Sequence, residues 1–327
     1  MGRRRSTAIR LKPRLTVSVA AIAALMSLLL FASVPGEGLW HDVLLDVTHG
    51  PIFAAIAVLV LLMHPTEARV GIVPLATAFL VSLVLGGLIE VLQSLGNRPG
   101  SLFDVMTDAA GAATGLAVWR LVQDQRQHGG RQAGSTGRRW SVAIALAGVT
   151  TIAWQPLQAA RAYAHQAAEF PTIAAFRGPR DLAFVESQGT SAEIVELPVP
   201  WSQRAGEHAL RIRYVDQQPR AVQVVEPSRD WRGYSAVAVD LTNPTGAELR
   251  LTLRIFDASH RMDYRDRFNL PIAVPPRTRA TVRVTLDAVE SSPMSRRMDL
   301  SRIADVMIFG QPSDGTGEFF VSRLWLE

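Results

Sequence analysis

The chain changes its hydrophobic period about halfway along. Up to residue 160, apolar runs alternate with short polar breaks, at 15–34, 47–63, 70–93, 104–122 and 140–160. At about 1.5 Å per residue, runs of this length suit helices crossing a bilayer core of roughly 30 Å. After residue 180 the period drops to two. Leu210, Ile212 and Tyr214, then Val237, Val239 and Leu241, then Leu249, Leu251, Leu253 and Ile255, then Val282, Val284 and Leu286 alternate with polar neighbours. That is the pattern of antiparallel strands with one buried face. Turn formers bound them, as in Asn243-Pro244-Thr245-Gly246 and Asp314-Gly315-Thr316-Gly317. The pattern predicts a multi-domain chain: an α-helical transmembrane bundle of five spans over 1–160, then an all-β, two-sheet sandwich of eight or nine strands over 175–327. Between them, 161–174 reads as a connector, helical at first and broken at Pro171.

Charge gives the bundle an orientation. Residues 1–14 carry six basic and no acidic side chains, and 120–139 carry five basic against Asp124 alone. Residues 161–327 balance at 21 of each sign, so the formal net charge of +5 belongs to the flanks of the apolar runs. Basic flanks mark the cytoplasmic side. The N-terminus is therefore expected in the cytoplasm and the sandwich outside, in a multi-pass protein of the cytoplasmic (inner) membrane. A cleaved signal peptide competes for the first run, but its length and the spans that follow favour an uncleaved helix. Topology accounts for the basic balance, so no nucleic-acid partner is implied. The chain has no cysteine, which removes disulfides, thiolate metal sites and thiol nucleophiles.

Polar residues interrupt the second, third and fourth spans. Asp46 and His49 open the second, Glu90 and Gln93 close the third, Arg98 lies in the turn, and Asp104 and Asp108 open the fourth. By parity all lie near the outer leaflet. Short loops make the three helices neighbours, so one convergent pocket is the economical reading. Charged side chains at such depth cost roughly 3 kcal/mol on insertion scales and usually serve a function. The plainer reading makes Asp46 and Asp104 helix caps. Gly111 and Gly115 continue the Asp104 and Asp108 face at a spacing that lets another helix approach closely.

These residues in this order, Asp46-x-x-His49, Glu90-x-x-Gln93, Arg98, then Asp104-x-x-x-Asp108-x-x-Gly111-x-x-x-Gly115, resemble the VanZ-like family of membrane proteins over about 15–122. One departure is Asp108, where that family usually has Asn. The family takes its name from a glycopeptide-resistance accessory associated with teicoplanin. The resemblance implies a cell-envelope role and names no reaction.

In the second half, 230–310 resembles carbohydrate-binding, galactose-binding-like jelly rolls attached to envelope proteins. Asp257, His260, Tyr264, Asp266, Arg267 and Asn269 crowd one loop, suited to sugar hydroxyls or a calcium ion. The same residues also fit a structural loop whose Asp and Arg pair with each other. Trp201, Trp231 and Tyr234 fit a stacking platform or a core equally. Arg211, Arg213, Arg250, Arg254 and Arg283 fall on the polar phase of their strands, as a basic face or as an ordinary ion-paired one.

No Gly-x-Ser-x-Gly elbow, P-loop, zinc spacing or dinucleotide fingerprint occurs. No catalytic residue and no metal site is therefore assigned, and calcium is the sole cofactor considered. The leading expectation is an outer-leaflet pocket for a membrane lipid head group or lipid-linked glycan, beside a sandwich that binds carbohydrate. A non-enzymatic tether presenting the sandwich and a transporter using intramembrane carboxylates are the alternatives.

Overall fold

The computed structural model describes residues 13–31, 38–95, 101–128, 136–214, 221–227, 230–261, 263–310 and 317–327. The chain divides into two compact units, Met1–Gln158 and Ala159–Glu327.

The first unit is helical: α1 Pro13–Phe31, α2 Leu39–Met63, α3 Ile72–Ser94, α4 Leu102–His128 and α5 Thr136–Glu169, with a 3-10 turn at Thr66–Ala68. Its core is a seam of Phe53, Ile56, Ala57 and Leu61 from α2, Ala78 and Ile89 from α3, and Ala112 from α4, all fully buried. Outside that seam the helices turn apolar side chains outward. Of the large hydrophobic residues exposed among the described ones, all but Val199, Tyr264 and Met294 belong to this half. An outward apolar surface of that extent suits hydrocarbon rather than water. α2, α3 and α5 are long and apolar enough to cross a membrane. α1 contributes a shorter apolar stretch, Leu15–Phe31, and α4 dilutes its apolar residues with Asp104, Asp108, Arg120, Asp124 and Arg126. Three helices, not five, thus meet the length and composition for a span among the described residues.

The two boundaries that depart furthest from the sequence expectation are the start of α2 and the end of α5. α2 starts at Leu39, eight residues before 47, because LWHDVLLD contains no breaker and continues the helical period. Asp46 is consequently an interior helical residue and not the N-cap of α2. α5 continues to Glu169 through Pro156, and β1 already begins at Thr172, so most of 161–174 is regular structure. Its alanine-rich sequence sustains the helix.

The second unit is a two-sheet sandwich with β1 Thr172–Ala174, β2 Val185–Gln188, β3 Thr190–Glu196, β4 His208–Tyr214, β5 Ala221–Val225, β6 Ala236–Asn243, β7 Leu249–Asp257, β8 Phe268–Val274, β9 Thr278–Thr285, β10 Ile303–Gly310 and β11 Glu318–Leu326. A one-turn helix, α6 Leu286–Glu290, follows β9. One sheet runs β3-β4-β11-β6-β9, with β1 also on β11, and the other runs β2-β5-β10-β7-β8. Consecutive strands from β4 onward largely alternate between the sheets, giving the orders 4-11-6-9 and 5-10-7-8. That is the double Greek key of a jelly roll. The four alternating stretches read from sequence are β4, β6, β7 and β9, whereas β1 and β2, strands of three and four residues, are too short to display a period. Leu210 and Ile212 (β4), Val239 and Leu241 (β6), Leu253 and Ile255 (β7), Val306 and Ile308 (β10) and Phe319 and Val321 (β11) fill the inside. Asn243 is fully buried at the expected Asn243-Pro244-Thr245-Gly246 turn, where its side-chain amide donates to Ala247 O, Val274 O and Pro275 O. The turn expected at 314–317 falls largely outside the described residues.

Candidate functional site

The helical unit brings three of the expected pocket residues together. His49 on α2 and Asp108 on α4 are each 1% exposed, and His49 Nδ1 lies 2.9 Å from Asp108 Oδ1. Glu90, near the end of α3, is also buried and joins them. One oxygen of its carboxylate, Oε2, accepts from the backbone N–H of Ser101 at 2.7 Å. Ser101 Oγ in turn accepts from the backbone N–H of Asp104 at 3.3 Å, so Ser101 caps α4 while Glu90 fastens that cap to α3. Gly86, one turn before Glu90, gives Asp108 its room, since a Cβ there would meet Asp108 Oδ2 at 2.6 Å. Asp104 is buried one turn before Asp108, and Asp46 is half-buried about a turn before His49. Gln93 turns away to α1, where Nε2 donates to Leu29 O at 3.4 Å. Arg98 lies outside the described residues. Gly111 and Gly115 meet α2: a Cβ on Gly111 would lie 2.1 Å from Gly50 O, and one on Gly115 2.5 Å from Ala54 O. Ser101 and Gly86 were not singled out from sequence, although Ser101-x-x-Asp104 before an apolar run is a legible capping signature.

In the sandwich, the expected loop is organised by an arginine from elsewhere in the chain. Arg296 donates from Nη2 to Asp257 Oδ1 at 2.7 Å and from Nε to Asp266 Oδ1 at 2.6 Å. Asp257 also accepts from the backbone N–H groups of Asp299 and Ser259, and Asp266 from that of Arg261. His260 packs on Phe256, and Arg267 lies over the ring of exposed Tyr264. A guanidinium thus occupies the space between the two carboxylates. The aromatic residues do not form one platform. Trp231 is fully buried and donates from Nε1 to Pro227 O at 3.0 Å, Trp201 packs in a side cluster with Leu197, Ala209 and Phe320, and Tyr234 meets Phe170. Four of the five strand arginines are ion-paired: Arg211 and Arg213 with Glu193, Arg250 with Glu248, and Arg283 with Glu327.

Arg254 is the fifth, and it belongs to a different arrangement. The register puts Glu186, Gln223, Met307, Arg254 and Asn269 in one row across all five strands of the second sheet. They occupy the outer face, because their strand neighbours Val224, Ile308, Leu253 and Ile255 point into the core. Gln223 Nε2 donates to Glu186 Oε2 at 2.7 Å, Arg254 Nε donates to Asn269 Oδ1 at 3.3 Å, and the Arg254 guanidinium lies 4.4 Å over the Phe309 ring. Burial, and then Arg267, hold the Arg254 pKa below its usual value. In the next row Asp305 sits between Val225 and Phe256. Burial, with nearby Glu186, pushes its carboxyl up to about 8 against the opposing pull of Arg254. At neutral pH it therefore keeps its proton and can donate, while its Oδ1 has no hydrogen-bond partner among the described residues. Glu186, Gln223, Met307, Phe309 and Asp305 were not singled out from sequence. Each stands on the polar phase or edge of a short strand, and only the register assembles them.

No protein-family model matches this chain, and no curated protein matches it. Among solved structures it is similar to a family 11 carbohydrate-binding module from Clostridium thermocellum in complex with a mixed-linked tetrasaccharide, at 15% identity over 47% of this chain and 93% of that one, with a TM-score of 0.34. It is also similar to a CBM22-1 xylan-binding domain from Paenibacillus barcinonensis, at 6% identity over 47% of this chain and 94% of that one, with a TM-score of 0.32. An exo-β-agarase gives 13% identity over 44% of this chain and 23% of that one, with a TM-score of 0.35. Identity and superposition are low throughout, and the jelly-roll assignment of the second unit rests on its own strand order.

Proposed function

We propose that this is a multi-pass membrane protein of the cell envelope whose external sandwich binds glycan on the outer face of the β2-β5-β10-β7-β8 sheet. The observation that carries the reading is the five-strand row of Glu186, Gln223, Met307, Arg254 and Asn269 beside Phe309. Sugars need planar hydrogen-bonding groups for hydroxyls and an apolar surface for ring faces, and this row supplies both next to each other. Arg254 is the central donor. Losing a charge-assisted hydrogen bond typically costs about 1.5–3 kcal/mol, or roughly 10- to 100-fold in affinity. With the detergent-purified protein on gels containing soluble β-glucan, xylan or agarose, Arg254→Ala should abolish retardation. Arg250→Ala, an exposed ion-paired arginine on the same strand and face, should leave it unchanged. Equal behaviour of the two variants, or no retardation of the wild type on any of these glycans, would sink the assignment.

For the helical half the proposal is a five-span, VanZ-like arrangement with its polar pocket near the outer leaflet, suited to a polar lipid head group or lipid-linked glycan. What favours it is the convergence of His49, Glu90 and Asp108 from three helices onto one buried point. α1 and α4 join the spans in this reading because they pack against α2 and α3 in the same bundle. A reporter active only in the cytoplasm should work when fused after Gly134 and stay silent when fused at Glu327. The reverse result would refute the orientation.

A further inference from the structure

We infer that His49, Glu90 and Asp108 bind one divalent transition-metal cation, of the zinc class, between α2, α3 and α4. The inference goes beyond the head-group reading and does not rest on it, since it uses only these three side chains. One ligand atom from each lies within 4.8 Å of the other two. A tetrahedral ion with bonds of about 2.1 Å holds its ligands roughly 3.4 Å apart, so rotation of the side chains closes the remaining gap.

Three observations point to a cation beyond the one hydrogen bond within the cluster. First, Glu90 Oε1 and Asp108 Oδ2 are buried with no hydrogen-bond partner among the described residues. Their residues are 8% and 1% exposed, and buried carboxylate oxygens need a partner. Second, the other oxygen of each is already engaged, Glu90 Oε2 by the Ser101 N–H and Asp108 Oδ1 by His49, which holds each carboxylate at the cluster. Third, Gly86 clears the space that Asp108 Oδ2 occupies against α3, four residues before Glu90.

The donor set selects the ion. Two carboxylates against one imidazole carry net negative charge inside an apolar bundle, and a dication cancels it. An imidazole nitrogen disfavours magnesium and calcium, which take oxygen ligands, and the absence of thiolate disfavours copper(I). Three protein ligands leave one tetrahedral position open.

The test uses tag-free, full-length protein in detergent, equilibrated with zinc, passed through gel filtration and assayed for metal by mass spectrometry. Wild type and Asp42→Asn, an acidic residue of α2 outside the trio, should each retain about one equivalent. Glu90→Gln, Asp108→Asn and His49→Ala should each retain at least 5-fold less. No stoichiometric zinc in the wild type, or wild-type levels in all three variants, would overturn the site. Since these variants can lose the fold, cobalt(II) added to wild-type protein provides a second readout. It should develop visible absorption that zinc abolishes and that excess magnesium or calcium does not. Absence of that absorption, or its removal by calcium, would overturn the assignment equally.

Discussion

Replacing Arg296 with Met is expected to destabilise the sandwich by about 3–5 kcal/mol, the usual consequence of stripping one partner from a buried ion pair. The side chain of Asp257 is 0% exposed and that of Asp266 10%, and both face the same guanidinium. Without it, two carboxylates remain in the interior at a separation set by β7 and the turn before β8. Methionine keeps most of the volume, so the effect reads the charge and not a cavity. The hydrogen bond from Arg296, outweighing the opposing effect of burial, holds the Asp266 carboxyl below its ordinary value. A depressed carboxylate contributes stability that is present above its unfolded pKa and lost as pH falls through its folded one. The wild type should therefore lose this contribution as pH falls below the normal carboxylate range, and Arg296→Met should lack that part of the acid dependence while keeping the part that comes from other depressed carboxylates such as Glu207 and Asp230. Denaturant-dependent hydrogen exchange of the β7 and β8 amides in the detergent-purified protein measures both. A change below about 1 kcal/mol would show that solvent already screens the pair.

The second large effect is expected at Gly111. A Cβ there would lie 2.1 Å from Gly50 O, and a backbone carbonyl cannot rotate aside as a side chain does. α2 and α4 must separate, and Gly115 against Ala54, one turn deeper, opens with them. Gly111→Val should cost at least about 3 kcal/mol, the upper end for overpacking, and should leave little monodisperse protein. Gly87→Ala is the matched control, since nothing lies within 4 Å of its Cβ and alanine is the better helix former. If both variants eluted as the wild type does on gel filtration, the close approach of α2 and α4 would not be what holds the bundle. Asp108 stands one turn before Gly111 on α4, so the same separation should carry it away from His49 and weaken zinc retention in any folded remainder.

The sequence by itself determined which solvent each half of the chain is built for and the kind of element it uses. Apolar runs near 20 residues leave backbone groups satisfied only as helices, and a period of two leaves only a sheet with one covered face. It also marked His49, Glu90 and Asp108, because charge in an apolar run is conspicuous wherever it falls. What it could not determine was pairing. Strand order and register are long-range choices, and local alternation is the same for any partner. The row from Glu186 to Asn269 therefore has no signature along the chain, and Arg254 looked like the four ion-paired arginines beside it. The partner of Asp257 and Asp266 was equally hidden, since Arg296 stands 39 and 30 residues away from them in sequence and reaches them only once the segment after β9 has folded back. Helix boundaries fell between these cases: α2 and α5 overran their expected ends because helical propensity continues past the apolar stretch that hydropathy detects. Tertiary structure alone decided which polar atoms found partners, and hence which of the conspicuous residues, Glu90 and Asp108, were left with an oxygen still to satisfy.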